Sequence, residues 1–241
     1  MAQHQQSLVR NRLLAAMSPS DFALLEPHLE RVELKIREFL HRAGDKLTHV
    51  TFIEEGIVST LAETEEGRFE VGMNGFEGVC GLGALLGVDT STHSNMVQAS
   101  GRGFNIPVAQ LQTAMDQSRT LRALLLRYVH AYTVQVSQTA FANAGYDLEA
   151  RLARWILMTH DRMEVDELSL THEFLAAMLG TRRSGVTIAV QTLEGNGMIR
   201  AKRGRVTVLD RGKLKELAGE AYGLAEREYT NILQFPHRGD A

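Results

Sequence analysis

The spacing of apolar and polar positions changes twice along the chain. Residues 7–30 group their apolar residues in short helical sets. Ser18-Pro19-Ser20-Asp21 is a helix-start cluster, and Phe22, Leu24, Leu25 and Leu29 follow it. From about residue 32 to 107, short apolar runs are separated by turn residues: Ala43-Gly44-Asp45, Glu55-Gly56, Glu66-Gly67, Asn74-Gly75 and Gly101-Arg102-Gly103. Turn signals roughly ten residues apart predict an antiparallel barrel or roll. Thr51-Phe52-Ile53 and Ile57-Val58-Ser59-Thr60-Leu61 read as the arms of a hairpin about Glu55-Gly56. The glycines Gly81, Gly83 and Gly87 miss the dinucleotide pattern, the third coming one place late with no βαβ unit around it. They read as a turn entering a short helix.

After Pro107 the period becomes helical. Residues 118–143 contain neither Gly nor Pro, and Leu121, Leu124, Leu125, Tyr128, Tyr132 and Val136 recur at steps of three and four. Such a helix is about 39 Å long. Taken alone, its stripe reads as core. Ala144-Gly145-Tyr146-Asp147 interrupts it, and Asp147 is a good cap for a next helix carrying Leu148, Leu152, Trp155 and Ile156. Three regions are expected: 1–116, 117–145 and 146–241. Residues 210–233 read as a final helix docked on the element before it.

Residues 169–209 are the most informative. Thr171 can cap a short helix with Leu175, Met178 and Leu179 on its apolar face, and Gly180 supplies a tight turn. A second helix starts near Thr181, with Val186, Val190 and Leu193 inward and Arg182, Arg183, Ser184 and Thr187 at its start. Met198-Ile199-Arg200 and Val206–Leu209 then read as two strands about the basic turn Lys202-Arg203-Gly204-Arg205. The pattern predicts a winged helix-turn-helix. Arginine at the start of the second helix can donate two hydrogen bonds to one guanine, and a basic wing suits backbone phosphates.

Charge sharpens this reading. The net charge is −3, but acids crowd the first part (Glu54, Glu55, Glu63, Glu65, Glu66, Glu70). Between Gly180 and Arg205 the cations Arg182, Arg183, Arg200, Lys202, Arg203 and Arg205 meet only Glu194. A basic patch confined to one part of an acidic chain fits a polyanion-binding surface.

Composition removes other classes. At 44% hydrophobic and 23% charged the chain is ordinary for a globular protein. It contains no run of about 18 apolar residues, and Met1-Ala2-Gln3-His4 does not open a signal peptide, so a cytoplasmic location and no membrane contact are expected. The single cysteine, Cys80, excludes an internal disulfide and a multi-cysteine metal site, and it reads as a small buried hydrophobe rather than a redox sensor. His130, His160 and His172 fall on different expected elements, so no metal site is expected. No nucleophile elbow, H-E-x-x-H or P-loop is present, and no enzymatic activity is expected.

The chain resembles the cyclic AMP receptor protein and fumarate–nitrate regulator (Crp/Fnr) superfamily. Leu179-Gly180, Arg183, Val186 and Leu193-Glu194 through Gly197-Met198-Ile199 are similar to its helix-turn-helix signature. Ala43-Gly44-Asp45 and Phe52-Ile53 with Gly56 are similar to its cyclic-nucleotide-binding β-roll. The resemblance implies an α+β protein: an N-terminal cyclic-nucleotide-binding-like β-roll, a long dimerisation helix and a C-terminal winged helix-turn-helix. It implies a homodimer paired through Leu121, Leu125, Tyr128, Tyr132 and Val136. It also implies a DNA-binding transcription regulator with double-stranded DNA, RNA polymerase and a small-molecule effector as partners. The competing reading is a ligand-binding module that acts through protein partners. DNA contacts are expected from Arg182, Arg183, Ser184, Thr187, Lys202, Arg203 and Arg205. Arg183 matches the family's main base-reading arginine, whereas Ser184 stands where many members carry glutamate and Ile188 where some carry a second arginine. The effector pocket would fall at Gly78, Val79, Cys80, Gly81, His93 and Ser94. Val79 replaces the ribose-binding glutamate and His93 the phosphate-binding arginine. Without that arginine a bound phosphate loses its strongest partner, so tight cyclic AMP binding is not expected.

Overall fold

A computed structural model describes residues 4–65 and 67–233. Met1–Gln3 and Glu66, on which part of the sequence reading fell, lie outside the described residues, as do residues 234–241. Two short helices, α1 (Arg12–Ala16) and α2 (Pro19–Leu25), open the chain. Their caps come from Asn11, which accepts from the Leu13 and Leu14 amides, and Ser18, which accepts from Asp21. Six antiparallel strands follow: β1 (Glu30–Leu34), β2 (Phe39–His41), β3 (His49–Thr64), β4 (Gly67–Asn74), β5 (Val79–Cys80) and β6 (Ser94–Pro107). The order is β1-β6-β3-β4, with β2 on β6 and β5 on β3. The short α3 (Leu82–Leu85) sits between β5 and β6, where the glycine-rich turn was expected to lead.

The expected hairpin about Glu55-Gly56 is absent, because β3 runs straight through it. Gly56 has φ +88°, and the pairing with β6 shifts register there, so these residues form a bulge. A Cβ on Gly56 would lie 2.5 Å from the Ala99 carbonyl oxygen, and one on Gly101 would lie 1.9 Å from that of Glu55. These glycines permit the backbones of β3 and β6 to touch, and Gly101 stands inside a strand rather than in a turn.

Helices α4 (Val108–Gln117) and α5 (Arg119–Gly145) pack on the sheet. The α5 stripe assigned to a subunit seam is committed elsewhere. Leu121, Leu125 and Tyr128 are at most 2% exposed in the single chain, and Tyr132 is buried. The Tyr128 hydroxyl donates to Asn74 Oδ1 and accepts from the Val79 amide, while Tyr132 donates to Thr60. Only Val136 is half-buried. Side chains already enclosed by their own sheet have no surface left for a second chain, so the core reading of this stripe stands and the seam reading is corrected.

The last region comprises α6 (Leu148–Met163), β7 (Glu167–Ser169), α7 (His172–Met178), α8 (Arg183–Gly195), β8 (Ile199–Lys202), β9 (Arg205–Val208), α9 (Arg211–Ala218) and α10 (Leu224–Leu233). The strands form a small antiparallel sheet in the order β7-β9-β8. The single final helix expected over 210–233 is broken at Gly219–Gly223. α9 packs on α6, but α10 turns back and lies along α5, burying Tyr229 and Leu233 among Leu124, Tyr128 and Ala131.

No gap separates the large sheet from this last region. Ile57, Leu61, Met73 and Met96 of the sheet share one apolar core with Trp155, Ile156, Leu175, Val190 and their neighbours. Buried polar contacts cross it. Arg162 Nε donates to Glu77 Oε1 at 2.7 Å, and Trp155 Nε1 donates to Glu70 Oε1 at 2.7 Å.

Glu70 has no partner on Oε2 among the described residues. Burial raises its pKa from 4.5 to about 7, against the lowering influence of Ser59, Trp155, Arg154 and Arg162. Between those two values the folded chain keeps a proton that the unfolded chain releases, so this group's stabilisation falls as pH rises and is gone above about pH 7. Denaturant unfolding at pH 5 and pH 8 should show wild type losing up to about 3 kcal/mol more than Glu70→Gln over that interval. Parallel losses in the two proteins would remove Glu70 as the cause.

Candidate nucleic-acid interface

Local chemistry fixes α7 and α8 against one another. The Thr171 hydroxyl caps α7 by accepting from the Phe174 amide at 3.1 Å, as expected from sequence. Gly180, at φ +59°, makes the turn. A Cβ there would come within 2.7 Å of Phe69 Cδ1 on β4, so the turn is pressed against the large sheet as well. Arg151 on α6 donates to the Leu179 carbonyl at the end of α7. The second helix begins at Arg183, two residues later than the sequence suggested.

Val186, Ala189, Val190 and Leu193 form the buried face of α8, packed with Leu175 and Met178 of α7. Arg182, Arg183 and Ser184 are exposed at its start. Arg182 is the N-cap and provides no side-chain hydrogen bond to the first turn. The free amides and positive end of the helix dipole therefore face outward beside two guanidinium groups, an arrangement that suits an anion.

Thr187 sits differently from its expected partners. It is half-buried, donates to the Arg183 carbonyl at 3.0 Å and lies 3.0 Å from His172 Nδ1. Its hydroxyl ties α8 to α7. Ile188, which the resemblance places where some members carry a second arginine, is exposed on α8, and so is Gln191, which sequence reasoning did not single out. Their position opposite Val186 and Val190 on a helical wheel was the available signal.

Arg203 and Gly204 form the two-residue turn of the β8–β9 wing, both with positive φ. Lys202 and Arg203 are exposed, whereas Arg205 Nη1 lies 2.9 Å from Glu167 Oε1 on β7. Glu194, the one acid in the basic stretch, accepts from the Ala201 amide at 2.9 Å and fixes the wing to α8. The basic surface is thus Arg182, Arg183, Arg200, Lys202 and Arg203, with Arg205 half-neutralised.

Of the residues expected to form an effector pocket, only some line a common cavity. A cavity of about 290 Å³ is lined by Cys80, Gly81 and His93 together with Thr60, Asn74, Asn95 and Tyr132. Gly78, Val79 and Ser94 do not line it. Val79 and Ser94 are fully buried, and Ser94 accepts from the Ala43 amide. His93 is the only lining residue able to carry positive charge. Burial pushes the Cys80 thiol up in pKa, which disfavours the reactive thiolate. Among the described residues no helix is long and apolar enough to cross a membrane, and no three His, Cys, Asp or Glu side chains are placed to share a metal ion.

Residues 150–217 match the family of Crp-like helix-turn-helix domains. The chain is 27% identical over 195 residues to the transcriptional activator protein Anr of Pseudomonas aeruginosa, covering 77% of this chain and 79% of that one. Its fold is that of FixK2 from Bradyrhizobium japonicum (TM-score 0.70, 14% identity, 79% of this chain and 98% of that one). A CRP-family transcriptional regulator from Thermus thermophilus is similar as well (TM-score 0.66, 19% identity, 80% and 98%). The domain match and the Anr relative make the chain a DNA-binding transcription regulator, similar in sequence and fold to those of the Crp/Fnr type.

Proposed function

We propose that this protein binds duplex DNA as a homodimer, placing the N-terminal turns of two α8 helices in successive major grooves about one helical turn apart. The observation that carries the reading is the charge at the open end of α8: exposed Arg182 and Arg183 beside uncapped amides, on a helix whose other face is fixed in the core. Arg183 reads a guanine, Arg182 and Ser184 contact the adjoining backbone or base edge, and Thr187 holds α8 in place while presenting its methyl. Lys202 and Arg203 hold phosphates, and Arg205 adds to them to the extent that Glu167 releases it.

The dimer needs a seam other than the buried stripe. Ala123, Leu126, His130, Thr133, Ser137 and Ala140 are exposed on α5 and follow one another at alternating steps of three and four. That is the spacing of a two-helix seam. An activating role, as named for the Pseudomonas relative, adds a contact with RNA polymerase. A small effector is assigned to the cavity near Cys80 and His93. The lining is mostly neutral, with hydroxyls and amides beside Leu47, Leu82, Leu86 and Val88, and it lacks the arginine that a cyclic nucleotide phosphate requires.

Three outcomes are expected. Arg183→Ala should cost about 1–3 kcal/mol on an operator selected from random DNA and relax the requirement at one base pair, as read by fluorescence anisotropy. Equal affinity of the two proteins would remove Arg183 as a reader. Lys202→Ala or Arg203→Ala should weaken binding to all sequences and flatten the salt dependence by about one unit of slope per subunit, while Glu167→Gln, which frees Arg205, should steepen it. Calorimetry with cyclic AMP should give no micromolar binding, and a micromolar Kd would overturn the pocket reading.

A further inference from the structure

One large apolar side chain stands on the reading surface. Ile188 is 60% exposed on α8, more than any other large hydrophobic of residues 146–233. A single exposed apolar residue needs no special explanation on an ordinary surface. This one has a specific position. At 3.6 residues per turn it lies roughly 150° around the helix from the mean direction of Val186, Ala189, Val190 and Leu193, so it projects almost directly away from the core. Ser184, one turn earlier, and Gln191, one turn later, share its line, and all three are exposed. Ser184 is small and its neighbour is Gly185, so nothing bulky on that side stands between Ile188 and a groove that accepts the helix start.

Major-groove base edges offer hydrogen-bond donors and acceptors with one apolar exception, the 5-methyl group of thymine. An isoleucine on the outward ridge has no hydrogen-bonding capacity, and it would leave polar base edges unpaired wherever it met them. We infer that Ile188 is a specificity-determining residue that packs on a thymine 5-methyl group and so selects an A·T pair in each half-site. The inference rests on the placement of α8 in the major groove proposed above. Gln191, three residues on and on the same ridge, is suited to the adenine N6 and N7 of that pair or its neighbour.

The test uses the full-length protein and an operator selected from random duplexes. Each thymine is replaced singly by deoxyuridine, which deletes only the methyl group, and affinities are compared for wild type, Ile188→Ala and Ile188→Val. At one symmetry-related position the replacement should weaken wild type about fourfold per half-site, or about fifteenfold when both are changed. Ile188→Val should keep most of that dependence. Ile188→Ala, whose fold is checked by circular dichroism, should bind the thymine and deoxyuridine duplexes alike. Wild type indifferent to every replacement, or Ile188→Ala as sensitive as wild type, would overturn the inference while leaving DNA binding intact. Failure of wild type to recover any duplex in the selection would overturn the DNA-binding reading itself.

Discussion

The Arg162–Glu77 pair is the contact around which the molecule is arranged. Both side chains are buried, and a buried ion pair is tolerated only when its remaining hydrogen-bonding groups are satisfied. Here they are. Arg162 also donates to the Met158 carbonyl of its own helix, Glu77 Oε2 accepts from the Gly75 amide, and the Glu77 carbonyl accepts from the Tyr229 hydroxyl. Glu77 therefore joins α6 and its own turn between β4 and β5 through its carboxylate, and α10 through its backbone carbonyl. Removing either partner would strand the other charge in an apolar site, at a cost of about 3–5 kcal/mol. The pair sets the reader against the sheet together with the Trp155–Glu70 bond and the shared apolar core.

The same turn continues directly into the cavity beside Cys80 and His93. Asn74 lines the cavity and accepts from Tyr128, whose hydroxyl also receives the Val79 amide next to Cys80. A ligand that moved Asn74 or Tyr132 would be felt at Glu77 within a few residues, and from there at α6, the first helix of the reader. Coupling by this route needs no long-range pathway, only two arrangements of a short hydrogen-bonded turn. The shared apolar core keeps the number of such arrangements small, because a packed interface shifts between discrete states rather than deforming continuously.

How much of this the sequence disclosed follows from which forces are local. Thr171, Gly180 and the inward residues of α8 were legible, because caps, positive-φ turns and amphipathic spacing act within a few residues. The bulge at Gly56 was misread because a tight turn and a bulge both call for glycine, and only the partner strand decides between them. The α5 stripe illustrates the opposite difficulty. Its spacing identified an apolar face correctly, but spacing does not say whether the face meets the chain's own sheet or another subunit. Family resemblance tipped that choice the wrong way for Leu121, Leu125, Tyr128 and Tyr132. The return of α10 onto α5 left no local trace, since Tyr229 and Leu233 find their partners about a hundred residues away.

Ser94 and Val79 show the limit of transferring a pocket by motif. The positions align with ligand-binding residues of the resembled family, yet Ser94 is spent on the Ala43 amide and Val79 is enclosed. What remains at the cavity is a histidine and a ring of neutral groups. A site of that character favours a small ligand recognised by hydrogen bonds and apolar contact over an anion, since desolvating a phosphate demands a fixed cation in return. The reading end of the molecule has the reverse character, with cations left exposed and unsatisfied amides turned outward. The two ends thus differ in polarity, and between them lies the buried Arg162–Glu77 pair, whose charges are satisfied within the protein.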